Sequence, residues 1–337
     1  MFERICIVGA GAIGGWIGAR LAASGCAVSC LARGATLAAL QARGLRLREQ
    51  VAGQERESAY PVRASDDAAQ LAELAGAPDL VVIALKAPAL PQVAPRLAPL
   101  LGPRTAVLTL MNGVPWWFLH GFGGALEGRD IEAVDPGGAI GRAIDAPRVI
   151  GGVVHASCLV DAPGVVRRHA GNGLIVGEPS GVATPRLAAL AALLARAGFE
   201  TTASCQIQRD IWYKLWGNMT VNPVSALTGA TADKLLDDEL TRGFMSAVML
   251  EAREIGARLG IPITDEPEDR HAITRKLGAL KSSMLQDVEA RKPVELDALV
   301  TAVRELGQRT GVATPFTDAL LGLARVQARV LGLYPES

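Results

Sequence analysis

Residues 2–14 read FERICIVGAGAIG, a stretch Phe2–Val8 that closes on the apolar run Ile5–Val8, followed by Gly9-Ala10-Gly11-Ala12-Ile13-Gly14. The run predicts a strand, and the alanine- and leucine-rich stretch Ala12–Ser24 predicts a helix. Each glycine between them has its own task. Gly9 permits a tight turn out of the strand, Gly11 lets a pyrophosphate approach the backbone, and Gly14 lets helix and strand close on each other. Free N–H groups at the helix start carry partial positive charge that suits phosphate. G-x-G-x-x-G alone says little in a chain with 37 glycines. Set between strand and helix, it points to a dinucleotide. The competing readings are a plain glycine-rich turn and a pocket for an adenosyl methyl donor.

The next strand, Ala27–Leu31, ends Leu31-Ala32-Arg33-Gly34. A fold of this kind that binds NAD usually places an acid there for the ribose 2′-hydroxyl. No acid is present, and Arg33 offers a charge-assisted contact to a 2′-phosphate. The expected cofactor is therefore NADP(H). Further continuous apolar runs, Leu80–Leu85 and Ala106–Leu110, suit strands covered on both faces. Short strand-like pieces at 149–160, 165–169 and 174–176, separated by Ala-Pro-Gly and Gly-Asn-Gly turns, read as hairpins appended to the sheet edge. After Pro185 the pattern turns helical, with Phe244, Val248, Ile255 and Leu259 on one stripe. The expected fold class is α/β: an N-terminal Rossmann-type doubly wound sheet over residues 1–200 and an all-helical domain over 201–337.

Composition narrows the function. Lysine plus arginine equals aspartate plus glutamate, 34 against 34, in 337 residues, which argues against a nucleic-acid partner held by a broad basic surface. Five cysteines without a C-x-x-C pair give neither a disulfide framework nor a zinc site. Cys6, Cys26 and Cys30 read as core filler. The four histidines have no ligand spacing, so no metal is expected. Ile5–Ala23 resembles a secretory apolar stretch, but its flank lacks net positive charge. The expectation is a cytoplasmic protein with no membrane partner.

A second constellation lies at Trp212-Tyr213-Lys214-Leu215-Trp216-Gly217-Asn218-Met219-Thr220-Val221-Asn222-Pro223. Lys214, Asn218 and Asn222 fall at i, i+4 and i+8, along one helical face. Most other positions are apolar, so this polar row must be paired or face a cavity; a solvent-facing stripe is the plainer alternative. Pro223 is expected to bend the helix. The row suits carbonyl reduction. Hydride addition builds negative charge on the ketone oxygen, and a lysine whose pKa is lowered by burial supplies both charge and proton. The asparagines can orient a carboxylate or hydroxyl.

These blocks, with Leu85-Lys86, Met111-Asn112-Gly113, Lys281-Ser282-Ser283-Met284-Leu285-Gln286-Asp287 and Glu295-Leu296-Asp297, resemble the ketopantoate (2-dehydropantoate 2-) reductase family over nearly the whole chain. The resemblance implies an NADPH-dependent reductase of a 2-oxo acid serving pantothenate and coenzyme A synthesis, with Lys214 as general acid. It implies substrate binding by Asn112, Asn218, Asn222 and Ser283. For the cofactor it implies Gly9, Ala10, Gly11, Ala12, Ile13, Gly14, Arg33, Lys86, Asn112, Ala156 and Glu295. The bland alternatives are a cap or turn role for Ser282 and Ser283, an acid at a helix start for Glu295, and a strand-end lysine reaching water for Lys86.

The chain departs from the family pattern by a longer segment between Asn112 and Ala156, opening Val114-Pro115-Trp116-Trp117-Phe118-Leu119-His120. Three aromatics there suit a pocket wall for a bulkier 2-oxo acid, or else surface packing or a homodimer contact. Two alternatives to ketopantoate reduction follow: a reductase of a bulkier or aromatic 2-oxo acid, and a non-catalytic NADP(H) sensor. The intact Lys214 and Glu295 disfavour the sensor.

Overall fold

Ile5, Cys6, Ile7 and Val8 are apolar in succession and all four are buried, because their strand has neighbours on both edges and helices on its faces. The strand is β1 (Arg4–Val8), followed by α1 (Ala12–Ala23), β2 (Ala27–Leu31), α2 (Gly34–Arg43), β3 (Leu45–Val51), β4 (Gln54–Tyr60) and β5 (Arg63–Ser65). Then come α3 (Ala68–Ala75), β6 (Leu80–Ile83), α4 (Leu90–Val93), β7 (Ala106–Thr109) and α5 (Ala139–Ala143). The sheet is completed by β8 (Val149–Ala162), β9 (Val165–Gly177), α6 (Pro185–Arg196) and β10 (Glu200–Ala203). The computed structural model describes residues 2–51 and 53–336.

The strand order is β4-β3-β9-β8-β7-β6-β1-β2-β5, with β10 also on β9. From β5 to β8 every neighbouring pair is parallel, whereas β8 and β9 form an antiparallel hairpin. The hairpin is not appended at an edge. β9 pairs onward with β3, in parallel, and β3 with β4, antiparallel. Apolar residues on both β8 and β9 suit this interior position: Val153, Val154, Val166, Leu174 and Val176 are all buried. The β3–β4 hairpin is polar and carries cross-strand pairs, such as Arg48 to Glu57 at 2.6 Å. Its lack of an apolar run hides it from a search for hydrophobic strands.

Contacts gather the chain into two units, Met1–Met111 with Ala139–Ile207, and Asn112–Gly138 with Gln208–Ser337. The second unit thus includes residues 112–138, which a boundary near residue 200 leaves with the first domain. Its helices are α7 (Ile207–Thr228, entering from the first unit), α8 (Ala232–Asp237), α9 (Glu239–Arg258), α10 (Pro267–Arg275) and α11 (Ser283–Glu289). A π-helical turn, Asp297–Thr301, leads into α12 (Ala302–Thr310), and α13 (Pro315–Val330) ends the unit. Trp212 and Trp216 of α7 are buried, and each donates its indole N–H to α9, at Ala252 O (3.2 Å) and Met249 O (2.6 Å). α7 runs on through Pro223 to Thr228, so the helix does not end at the proline.

Trp116, Trp117 and Phe118 are also buried, with the Phe118 ring centroid 5.9 Å from that of Trp212. They form part of the helical unit's core, which explains the apolar run better than a ligand wall or a surface patch does. The Glu305 carboxylate anchors the same segment by accepting N–H bonds from Glu132 and Ala133. Among the described residues no helix is long and apolar enough to cross a membrane, and no cluster of residues is suited to a metal.

Candidate active site

In the first unit the glycine loop is built as its sequence requires. Gly9 has φ +94°, and its N–H reaches Leu31 O of β2 at 3.2 Å. A Cβ at Gly14 would stand 2.1 Å from Gly9 O, so only glycine lets α1 start this close to the strand. Gly11 differs, because a Cβ there would meet nothing within 4 Å. Open space lies over the backbone at the start of α1, whose first turn has neither a side-chain cap nor an acid. The first N–H groups of a helix need acceptors, and a phosphate over Gly11 would supply them. The loop therefore fits a dinucleotide pyrophosphate. Ala12 begins the helix, Ala10 is buried, and Ile13 packs partly into the core.

Arg33 is exposed at the N-cap of α2 and forms no ion pair among the described residues. A cation without a partner at the end of β2, where no acid stands, suits a 2′-phosphate better than a bare hydroxyl. Lys86 is exposed three residues beyond β6, and Ala156 sits on β8 at a register shift beside His155.

In the second unit α7 gathers the polar residues. Lys214 Nζ donates to Asn112 Oδ1 at 3.0 Å. Burial of the amine lowers its pKa from the ordinary lysine range to about 8; the Glu295 carboxylate opposes that shift, and the Arg270 guanidinium adds to it. Glu295 is 5% exposed, just before the π-helical turn. The same turn holds Asn112 in place. Gly113 has φ +80°, and a Cβ there would fall 2.3 Å from Ala298 O; Val114 N–H donates to that oxygen at 2.8 Å.

Asn218, one turn after Lys214, is half-buried and makes no side-chain hydrogen bond among the described residues. Asn222 is buried, and its Nδ2 donates to Ser283 Oγ at 3.3 Å. Ser282, not Ser283, caps α11, accepting the Leu285 N–H at 3.1 Å. Lys214 and Asn222 are thus paired and Asn218 is half-buried, unlike a solvent-facing stripe. Lys214, Asn112 and Glu295 form one group, and Asn222 and Ser283 another.

Sequence reasoning passes over Arg270, on α10. Its guanidinium lies against α7 at Gly217, where a Cβ would stand 2.7–2.8 Å from Nη2, Cζ and Nε. Its Cζ lies 6.0 Å from the Tyr213 ring centroid. The available signal was Gly217 itself, since glycine inside a helix costs about 1 kcal/mol relative to alanine and is kept where something must come close.

Known proteins resemble this chain over nearly its whole length. Residues 5–119 match the family described as "Ketopantoate reductase PanE/ApbA", and residues 206–328 match "Ketopantoate reductase PanE/ApbA C terminal". A 2-dehydropantoate 2-reductase of Mesorhizobium japonicum is 47% identical over 332 residues, spanning 98% of this chain and 99% of that one. A solved structure from Ralstonia solanacearum MolK2, described as a candidate ketopantoate reductase, has a TM-score of 0.93 and 55% identity, covering 99% of this chain and all of that one. A ternary structure of D-mandelate dehydrogenase with NADH and anilino(oxo)acetate shares the fold, with a TM-score of 0.80 and 21% identity over 98% of this chain and 100% of the other.

Proposed function

The chain belongs to the ketopantoate reductase family and is an oxidoreductase acting on a CH–OH group with a nicotinamide cofactor, and from that premise we propose that it reduces 2-dehydropantoate to pantoate with NADPH. When bound, the cofactor supplies the hydride. Negative charge that builds on the ketone oxygen is met by the Lys214 ammonium, which gives that oxygen its proton. The amine left behind recovers a proton from water. Asn112 fixes where the Lys214 N–H bonds point, because its carbonyl oxygen accepts one of them. Glu295 counters the desolvation that drives Lys214 toward its neutral form, so the acid is still available near neutral pH.

Asn218 is assigned to the substrate because its carboxamide is uncommitted, and Asn222 with Ser283 is assigned as a second polar contact. Gly9, Gly11, Gly14 and the intervening residues are assigned to the pyrophosphate, and Arg33 to the 2′-phosphate. Lys86 and Ala156 are assigned to the cofactor on the family pattern alone. In this reading the product feeds pantothenate and coenzyme A synthesis. The aromatic segment gives no ground for a bulkier acid, because its rings are spent in the core.

The observation that carries the proposal is the desolvated Lys214 amine, held by Asn112 on the face that also presents Asn218. The test is cofactor consumption with a panel of 2-oxo acids. Turnover of 2-dehydropantoate ahead of aromatic 2-oxo acids, and with NADPH ahead of NADH, is expected. No turnover of 2-dehydropantoate, or a clear preference for the aromatic acids, would overturn it.

A further inference from the structure

The residues after α13 fold back onto the segment that carries Glu295. Leu333 is buried, and its N–H donates to Ala328 O at 2.8 Å, turning the backbone off the helix. Leu333 O then accepts the Val294 N–H at 3.1 Å. One residue on, the Tyr334 hydroxyl donates to Asp297 Oδ1 at 2.5 Å. That oxygen also accepts from Thr301 Oγ1 at 3.1 Å, across the π-helical turn. The Arg329 guanidinium lies over the Tyr334 ring, Cζ to centroid 5.8 Å, and its Nε donates to Pro335 O at 2.9 Å. Arg325 of α13 is the other cation acting on the phenol. The ring is thus held by α13 on one side and by the π-helical turn on the other.

The two bonds bracket Glu295. One holds the residue before it, and the other holds the residue two places after it, the first of the turn. Glu295 from this segment and Arg270 from α10 are the charged groups that act on the Lys214 amine, and Asn112 accepts its N–H. The carboxylate favours the ammonium, whereas burial and the guanidinium oppose it. The same turn supplies Ala298 O to the Val114 N–H, two residues from Asn112. Two neighbours of Lys214 therefore depend on one short turn. Turns of this kind are rare and gather at functional sites, and here a hydroxyl from outside grips the first residue. We propose that Tyr334 is a positioning residue: through Asp297 it fixes the π-helical turn, and with it the approach of the Glu295 carboxylate to the Lys214 amine. Its part in catalysis rests on the reductase reading given above.

The test is the pH profile of Tyr334→Phe, which keeps the ring and loses only the hydroxyl. With the turn released, the carboxylate supports the ammonium less, and the Lys214 pKa falls below its value of about 8. The alkaline limb of kcat/KM for 2-dehydropantoate is expected to move down by about 0.5–1 pH unit. Activity would then be about 3- to 10-fold lower at pH 9 and within a factor of about two at pH 6.5. The phenol does not itself titrate in this range, because burial and the Asp297 bond push its pKa up to about 12. Asp297→Ala cuts the same bond from the other side and should shift the limb in the same direction. The double variant should shift it no further than Asp297→Ala alone, since one bond is lost in each. The Lys214 pKa is also read without turnover, by NMR of protein carrying carbon-13 at the lysine Cε. A limb and a Lys214 pKa that stay in place while the thermal midpoint falls would make Tyr334 a structural fastener only, and overturn the proposal. A wild-type protein that reduces no 2-oxo acid, with the NMR shift present in the variant, would remove the reductase reading and leave the coupling of Tyr334 to Lys214 standing.

Discussion

Lys214 is a group whose chemistry is set by its surroundings. Burial brings its pKa to about 8, so at neutral pH it is still mostly protonated, yet it surrenders a proton far more readily than an exposed lysine. The direction of the pH dependence follows. Reduction needs the ammonium, whose population falls tenfold per unit above pH 8; kcat/KM for 2-dehydropantoate should fall with it, whereas oxidation of pantoate should rise through the same range. A flat profile between pH 7 and 10 would exclude Lys214 as the acid. Lys214→Ala should lower kcat about 10²-fold or more while leaving KM for NADPH nearly unchanged. Arg33 offers a separate check. Arg33→Asp places an acid where a 2′-hydroxyl would lie, and the ratio of kcat/KM for NADPH over NADH should drop at least tenfold; an unchanged ratio would remove Arg33 from cofactor choice.

At the level of elements, the decisive join is between Gly113 and the π-helical turn. An extra residue in a helical turn widens it and turns a carbonyl outward, and here Ala298 O receives the Val114 N–H. Gly113→Ala would combine a left-handed backbone unfavourable by about 1–2 kcal/mol with a Cβ only 2.3 Å from that carbonyl. The expected result is a lower urea midpoint together with a loss of kcat, as Asn112 is displaced from Lys214. Normal kcat in the folded variant would show that Asn112 is not held by this join. Legibility also varies with the element. β1, α1 and α7 were readable because unbroken apolar runs and glycine or asparagine spacing act within a dozen residues. The place of β8 and β9 inside the sheet was not, because pairing β9 with β3 depends on residues more than a hundred positions apart. The β3–β4 hairpin was hidden by its alternating arginines and glutamates.

Over the whole molecule, the division into a sheet unit and a helical unit was visible in the change of periodicity near Pro185. The membership of residues 112–138 was not. Trp116, Trp117 and Phe118 announce burial but do not say against what, and only the contact with Trp212 assigns them to the helices. The candidate site was legible where chemistry demands a residue type, at Lys214, Asn218 and the glycine loop. Arg270 was illegible too, since it looks like any helix arginine until its packing against Gly217 is seen. A property of the full chain is also testable. With 34 basic and 34 acidic residues, long-range repulsion between copies vanishes near neutral pH, so solubility against polyethylene glycol should be lowest close to pH 7 and should improve by pH 8.5. A minimum well away from neutrality would contradict that balance.

The vacancy at Gly217 ties two distant positions into one choice. A methyl group at 217 and a guanidinium at 270 claim the same volume, so a relative that gains alanine or anything larger at the first is expected to shorten the second. Such a pair of exchanges would be traceable through a set of aligned sequences as correlated change.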